Sequence, residues 1–128
     1  MIKEQRCQTV MEVFSKYKDL ELKEGKKGSY LVFHMYMTRQ MKETGIDALE
    51  LSMRATNSMK RLGFNTVGDL AYAISGGLDL KTVRNCGRKT AREIMEHLFL
   101  FQYYQFSPEE QDDYIYEIVV RNCYSKVK

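Results

Sequence analysis

Arg54 and Asn57 fall in the opening turns of one predicted helix, and Asn85-Cys86-Gly87-Arg88-Lys89-Thr90 opens another. A helix start carries backbone N–H groups with no intrahelical partner and a partial positive charge, so it can hold a phosphate. Gly87 allows a tight turn and close backbone approach, and Lys89 and Thr90 follow at the helix start. The chemistry these residues support is anion binding. For bond making, the sequence has no Ser/His/Asp order, no phosphate-cradling Gly loop after a strand and no paired carboxylates in an evident site. No catalytic residue is assigned, and an enzyme is not expected. His34 and His97 lack neighbours at ligand spacing, so neither a metal nor another cofactor is expected. Cys7, Cys86 and Cys123 are widely spaced and form no CxxC, which suits a reduced, cytoplasmic compartment.

The elements that must position these residues read as helices. A first helix is predicted from about Lys3 to Leu20, with Val10, Phe14 and Tyr17 on one stripe. Gly25 and Gly28 act as breakers. Ser29 caps a second predicted helix to about Glu43, ended by Gly45. Its run Tyr30 to Met37 is short and rich in β formers, so a strand fits those eight positions as well; the extent to Met41 favours helix. Ser52 caps a helix from Met53 to Leu62, with Gly63 at its C′ position. Thr66 to Asp69 opens a helix through about Ile74, and Gly76-Gly77 forms a loop. Leu78 to Val83 is a short helix, and Thr90 to Phe101 or beyond is its partner. Together they have the layout of a helix-hairpin-helix element. Ser107-Pro108-Glu109-Glu110 starts a last helix towards Cys123, with Ser at N-cap, Pro at N1 and Glu at N3.

Charge supports a polyanion partner. The 128 residues carry a net +3. Ser52 to Arg92 holds eight basic residues and two acids, a local +6, whereas Glu93 to Lys128 holds seven acids and three bases, a local −4. A basic stretch of that density is the footprint of a nucleic-acid contact. Aromatics and bases sit in different segments, which argues against stacking on single strands. No apolar run approaches 18 residues, so no transmembrane helix and no membrane partner are expected. The polar N-terminus has no secretory signal.

From Leu49-Glu50-Leu51-Ser52-Met53-Arg54-Ala55-Thr56-Asn57-Ser58-Met59-Lys60 through Val67-Gly68-Asp69-Leu70, Asn85-Cys86-Gly87-Arg88-Lys89-Thr90 and Glu93-Ile94, the sequence resembles the C-terminal domain of the bacterial RNA polymerase α subunit. The likeness covers roughly Asp47 to Leu98. It implies a compact helical domain that binds the minor groove of A/T-rich DNA upstream of promoters. It also implies that Arg54 enters the groove, while Asn57, Gly87, Lys89, Thr90 and the neighbourhood of Glu93 contact backbone. Ser58, Lys60 and Arg88 complete the candidate DNA-binding set. Ser58 stands where the family often has Cys, Arg84 where Pro is common, and the loop at Gly76-Gly77 is slightly longer. Residues Met1 to Thr44 do not look like the α subunit's N-terminal domain, so the protein reads as a free-standing relative.

The expected fold is all-α: an N-terminal helical extension over residues 1–45, a DNA-binding domain over 46–101 and a C-terminal helix over 102–128. The expected function is DNA binding in transcription, with double-stranded DNA as partner, in the cytoplasm and at the nucleoid when bound. The terminal helices offer contacts for a homodimer, or for RNA polymerase or a transcription factor. Two alternatives remain. One is a protein-interaction module, its basic face masked in cis by the acidic C-terminal segment. The other is a generic helix-hairpin-helix protein of DNA repair or recombination, indifferent to A/T content.

Overall fold

The computed structural model describes residues 9–17, 33–84 and 86–127; for Met11 and residues 121–127 the description covers the backbone alone. In sequence order the helices are α1 (Val10–Phe14), α2 (Arg39–Glu43), α3 (Met53–Arg61), α4 (Val67–Ser75), α5 (Arg88–Gln105) and α6 (Pro108–Val127). Two 3-10 turns, Ile46–Leu49 and Leu80–Thr82, join them. The fold is all-α; among the described residues the only sheet-like pairing is a single bridge between Gly45 and Thr66. No helix among those residues is long and apolar enough to cross a membrane.

Both helices expected before Gly45 are shorter than predicted. The helix expected from Lys3 to Leu20 is seen only as α1; residues 3–8 and 18–20 lie outside the described residues. It stops at Phe14 because Ser15 Oγ donates to the Glu12 carbonyl at 2.6 Å, drawing off a backbone acceptor. Tyr17 turns away to share a 2.9 Å hydroxyl hydrogen bond with Tyr103. The helix expected from Ser29 to Glu43 is helical only in α2, and residues 29–32 lie outside the described residues. Residues 33–38 are not helical, and only Met35 among them is buried, between exposed His34 and exposed Tyr36. Their backbone is satisfied from far away in sequence. Tyr36 N–H donates to Gln102 Oε1 at 2.8 Å, and the His34 carbonyl accepts from the Tyr114 hydroxyl at 2.8 Å. Thr38 then caps α2 by accepting from Met41 N–H.

The middle of the sequence follows its local signals. Ser52 Oγ accepts from Ala55 N–H and starts α3. Gly63 N–H donates to Lys60 O and Phe64 N–H to Met59 O, a paired closure that needs the left-handed backbone Gly63 supplies at φ +86°. α4 starts on a capping box between Thr66 and Asp69. Its second residue, Gly68, lies against α2 so closely that a Cβ would meet Lys42 Cα at 2.9 Å. The first arm of the hairpin is smaller than the helix expected over Leu78 to Val83. Asp79 captures Lys81 N–H and leaves only the 3-10 turn Leu80–Thr82. α6 starts as expected: Ser107 N–H donates to Glu110 Oε1, and Glu110 N–H donates back to Ser107 Oγ.

Two hydrophobic cores meet along α5. The first gathers α2, α3 and α4 around Met41, Met59, Leu70, Ala91, Ile94 and Leu98. The second gathers Val13 and Phe14 of α1, Phe99 and Tyr103 of α5, and Tyr114, Ile115 and Ile118 of α6. Phe33 packs against both. Phe99 is the hub of the second core, with ring contacts to Phe14, Phe33, Tyr103 and Tyr114. α5 therefore crosses residues 101 and 102 without interruption, one end of it in each core.

Candidate nucleic-acid interface

α3 and the start of α5 carry most of the residues singled out in the sequence. Arg54 and Asn57 are exposed and three residues apart, so they share one face of α3. With Ser58 and Arg61 they line a groove of 280 Å³. Ser58 is the floor of that groove: it is 3% exposed, and its hydroxyl donates to the Arg54 carbonyl at 3.0 Å. Lys60 turns to another side of α3 and pairs with Asp47 at 3.5 Å. Arg61, seven residues after Arg54, continues the Arg54 face. That spacing, two helical turns, was the signal in the sequence that could have placed it in the site.

The two helix starts are built differently. At α3, Glu93 reaches across from α5: its carboxylate accepts the Ser52 N–H at 2.6 Å and the Ser52 hydroxyl at 2.9 Å. Ser52 in turn caps Ala55 N–H. The N-terminus of α3 thus holds a hydroxyl cap and a carboxylate, both from within the protein. At α5, Gly87 sits at the N-cap position with no hydrogen bond from a capping side group among the described residues, and no acid lies in the first turn. Arg88 and Lys89 are exposed and Thr90 is half-buried. Gly87 has φ −74°, ψ −179°, a conformation open to any residue, so the turn itself does not depend on glycine. A Cβ there would meet nothing within 4 Å. The absence of a side group leaves an unobstructed approach to the first N–H groups of α5. Asn85 lies outside the described residues.

Cys86 joins the two starts. It is buried in the first core, and burial pushes its thiol above the usual range. The Arg54 charge pulls that thiol down and the Glu93 charge pushes it up, so both act on the residue just before Gly87. Of the acids in the C-terminal segment, Glu93 stands at the start of α3, whereas Glu109 and Glu110 open α6 next to the end of α5, about 27 Å along the helix from Gly87. His97 is engaged too, its Nδ1–H donating to the Leu49 carbonyl at 2.5 Å. Among the described residues no group of three His, Cys, Asp or Glu could hold a metal ion.

Residues 37–99 match the family of the C-terminal domain of the bacterial RNA polymerase alpha subunit. Among curated proteins, the DNA-directed RNA polymerase subunit alpha of Aquifex aeolicus is 45% identical over 53 residues, 41% of this sequence and 16% of that protein. The subunit alpha of Carboxydothermus hydrogenoformans is 39% identical over 59 residues, 46% of this sequence and 18% of that protein. That of Hydrogenobaculum sp. is 43% identical over 53 residues, 41% of this sequence and 16% of that protein. The match thus spans about a sixth of the length of these relatives. No solved structure matches it.

Proposed function

We propose that this protein, whose residues 37–99 match the family of the bacterial RNA polymerase alpha C-terminal domain, is a DNA-binding protein of transcription. The observation that carries the reading is the nearness of exposed Arg54 and Asn57 on α3 to an α5 start that no described side group caps. Arg54 enters the minor groove of A/T-rich DNA, where a narrow groove concentrates negative potential and attracts a guanidinium. Asn57, Arg88, Lys89 and Thr90, with the open N–H groups at Gly87, hold flanking phosphates and set the register. Ser58 and Glu93 serve the site from beneath, through their bonds to Arg54 and Ser52. Lys60, paired with exposed Asp47, stands at the edge and adds long-range attraction. The relatives are named as polymerase subunits, which supports polymerase as the protein partner. One such domain binds weakly, with a nonspecific Kd on the order of 10⁻⁴–10⁻⁶ M at physiological salt. A partner or a second copy then supplies the useful affinity.

The test is a salt titration of the full-length protein on two fluorescent duplexes, one A-tract and one G/C-rich. The expected result is tighter binding to the A-tract, with log K falling linearly in log salt. Arg54→Ala should lose the A-tract preference, a cost of about 1–3 kcal/mol on that duplex. Equal affinity of Arg54→Ala and wild type for the A-tract removes Arg54 from the groove. No binding to either duplex at low salt turns the reading to protein contacts alone.

A further inference from the structure

Two grooves adjoin on the outer side of α3. The first, described above, runs under Arg54 and Asn57. The second, of 310 Å³, is lined by Ser58, Arg61, Leu62, Val83 and Arg84. Ser58 and Arg61 line both, so the two grooves are neighbours on either side of these residues. Arg61 is brought by the last turn of α3, and Arg84 by the loop between the 3-10 turn and α5. Both are exposed, and neither forms an ion pair among the described residues. Among those residues no acid lines the groove; its remaining walls are Leu62, 43% exposed, and half-buried Val83.

Two guanidinium groups on one groove repel each other, and each presents a planar fork of donors. An arginine kept for the fold would have its fork on a carboxylate or a carbonyl. An anion with several oxygens satisfies both forks at once and removes the repulsion, and phosphate fits that geometry bidentately. Apolar walls beside the forks suit the carbon face of a sugar. We infer that Arg61 and Arg84 form a second phosphate clamp, which holds the sugar-phosphate backbone of the duplex that receives Arg54. The inference rests on the DNA-binding reading above and enlarges its footprint from the Arg54 groove to the loop before α5.

The test uses the full-length protein with both Arg61→Gln and Arg84→Gln, titrated with salt on the A-tract and G/C-rich duplexes. Loss of two phosphate contacts lowers the slope of log K against log salt by about 1.8, so the wild type's fall in affinity between 50 and 200 mM salt exceeds the variant's by about tenfold. The ratio of A-tract to G/C affinity stays as in wild type, because phosphate contacts carry no base information. Thermal unfolding also stays as in wild type, which a structural pair would not allow. A charge-matched control, Arg39→Gln with Lys42→Gln on α2, leaves the slope in place. An unchanged slope in the Arg61/Arg84 variant, with DNA binding intact, overturns the clamp and leaves the Arg54 reading standing. An equal loss of slope in the control overturns it as well, by showing bulk charge at work. A wild-type protein that binds neither duplex takes down the DNA-binding reading and the clamp with it.

Discussion

The starts of α3 and α5 look alike in sequence, each a small polar or Gly residue ahead of basic ones, and the protein treats them in opposite ways. α3 is closed from inside: Ser52 caps it, and Glu93 holds Ser52 from 41 residues away. α5 is left open, with Gly87 at its cap position and basic residues beyond. The difference separates the two routes to anion binding proposed for this protein. At α3 the backbone is spent on the fold, so only side groups project outward, Arg54 and Asn57 first among them. At α5 the backbone itself remains available, since no capping group among the described residues covers its first N–H groups and partial positive charge. α4 and α6 show a third arrangement, a capping box made entirely by local residues.

The largest effect expected from erasing this difference comes from Gly87→Asp. Space and backbone conformation both accept the new residue. Asp at N-cap would satisfy an N–H of α5 and place a negative charge where phosphate is proposed to sit. DNA affinity should fall by about tenfold or more, while thermal stability stays level or rises by a few tenths of a kcal/mol. Opposite movement of affinity and stability is the signature; unchanged affinity would mean that the two starts are equivalent and that α5 is open by accident.

Ser52→Ala is the converse, and smaller. It removes the α3 cap and one donor to Glu93, and should cost about 1 kcal/mol of stability in denaturant unfolding. DNA affinity at low salt should change little, because the contacts proposed for α3 are made by its side groups. A large affinity loss at full folding would place the α3 backbone in the interface after all.

Smallest is a pH effect that marks the locally capped helices. The N–H groups of Asn65 and Thr66 hold the Asp69 carboxyl below its usual range, and the Ser107 N–H does the same for Glu110. Their folded pKa values lie under the unfolded ones. The stability they contribute is therefore fully present above the ordinary carboxylate range, and is lost as pH falls below about 4 and through the folded values. Asp69→Asn with Glu110→Gln should flatten the acid limb of a Tm-against-pH curve; an unaltered limb would assign the acid sensitivity to other carboxylates.

How legible each element was follows from the reach of the contacts that make it. Ser52, Gly63, Thr66, Asp69 and Ser107 act on backbone groups within five residues, and the helices they bound were readable. Residues 33–38 were not, because their partners Gln102 and Tyr114 lie 66 and 80 residues away. The run Tyr30 to Met37 was open to helix or strand, with helix favoured; its described residues 33–37 are neither, and are held against α5 and α6 through Gln102 and Tyr114. The candidate site divides in the same way. Arg54, Asn57, Lys89 and the bare Gly87 could be picked from residue type and order. That Lys60 turns to Asp47, that Ser58 bonds under Arg54 and that Arg84 joins Arg61 at one groove could not.

What the sequence determined by itself is the set of helices with local caps, the basic stretch and the likeness of its central residues to a known family. Each depends on nearest neighbours along the backbone or on composition. Tertiary structure alone decided which of two similar helix starts would be closed and which left open, for a reason of geometry. The Glu93 carboxylate lies within hydrogen-bond reach of Ser52 only once α5 packs on α3, and no described residue stands in the same relation to Gly87.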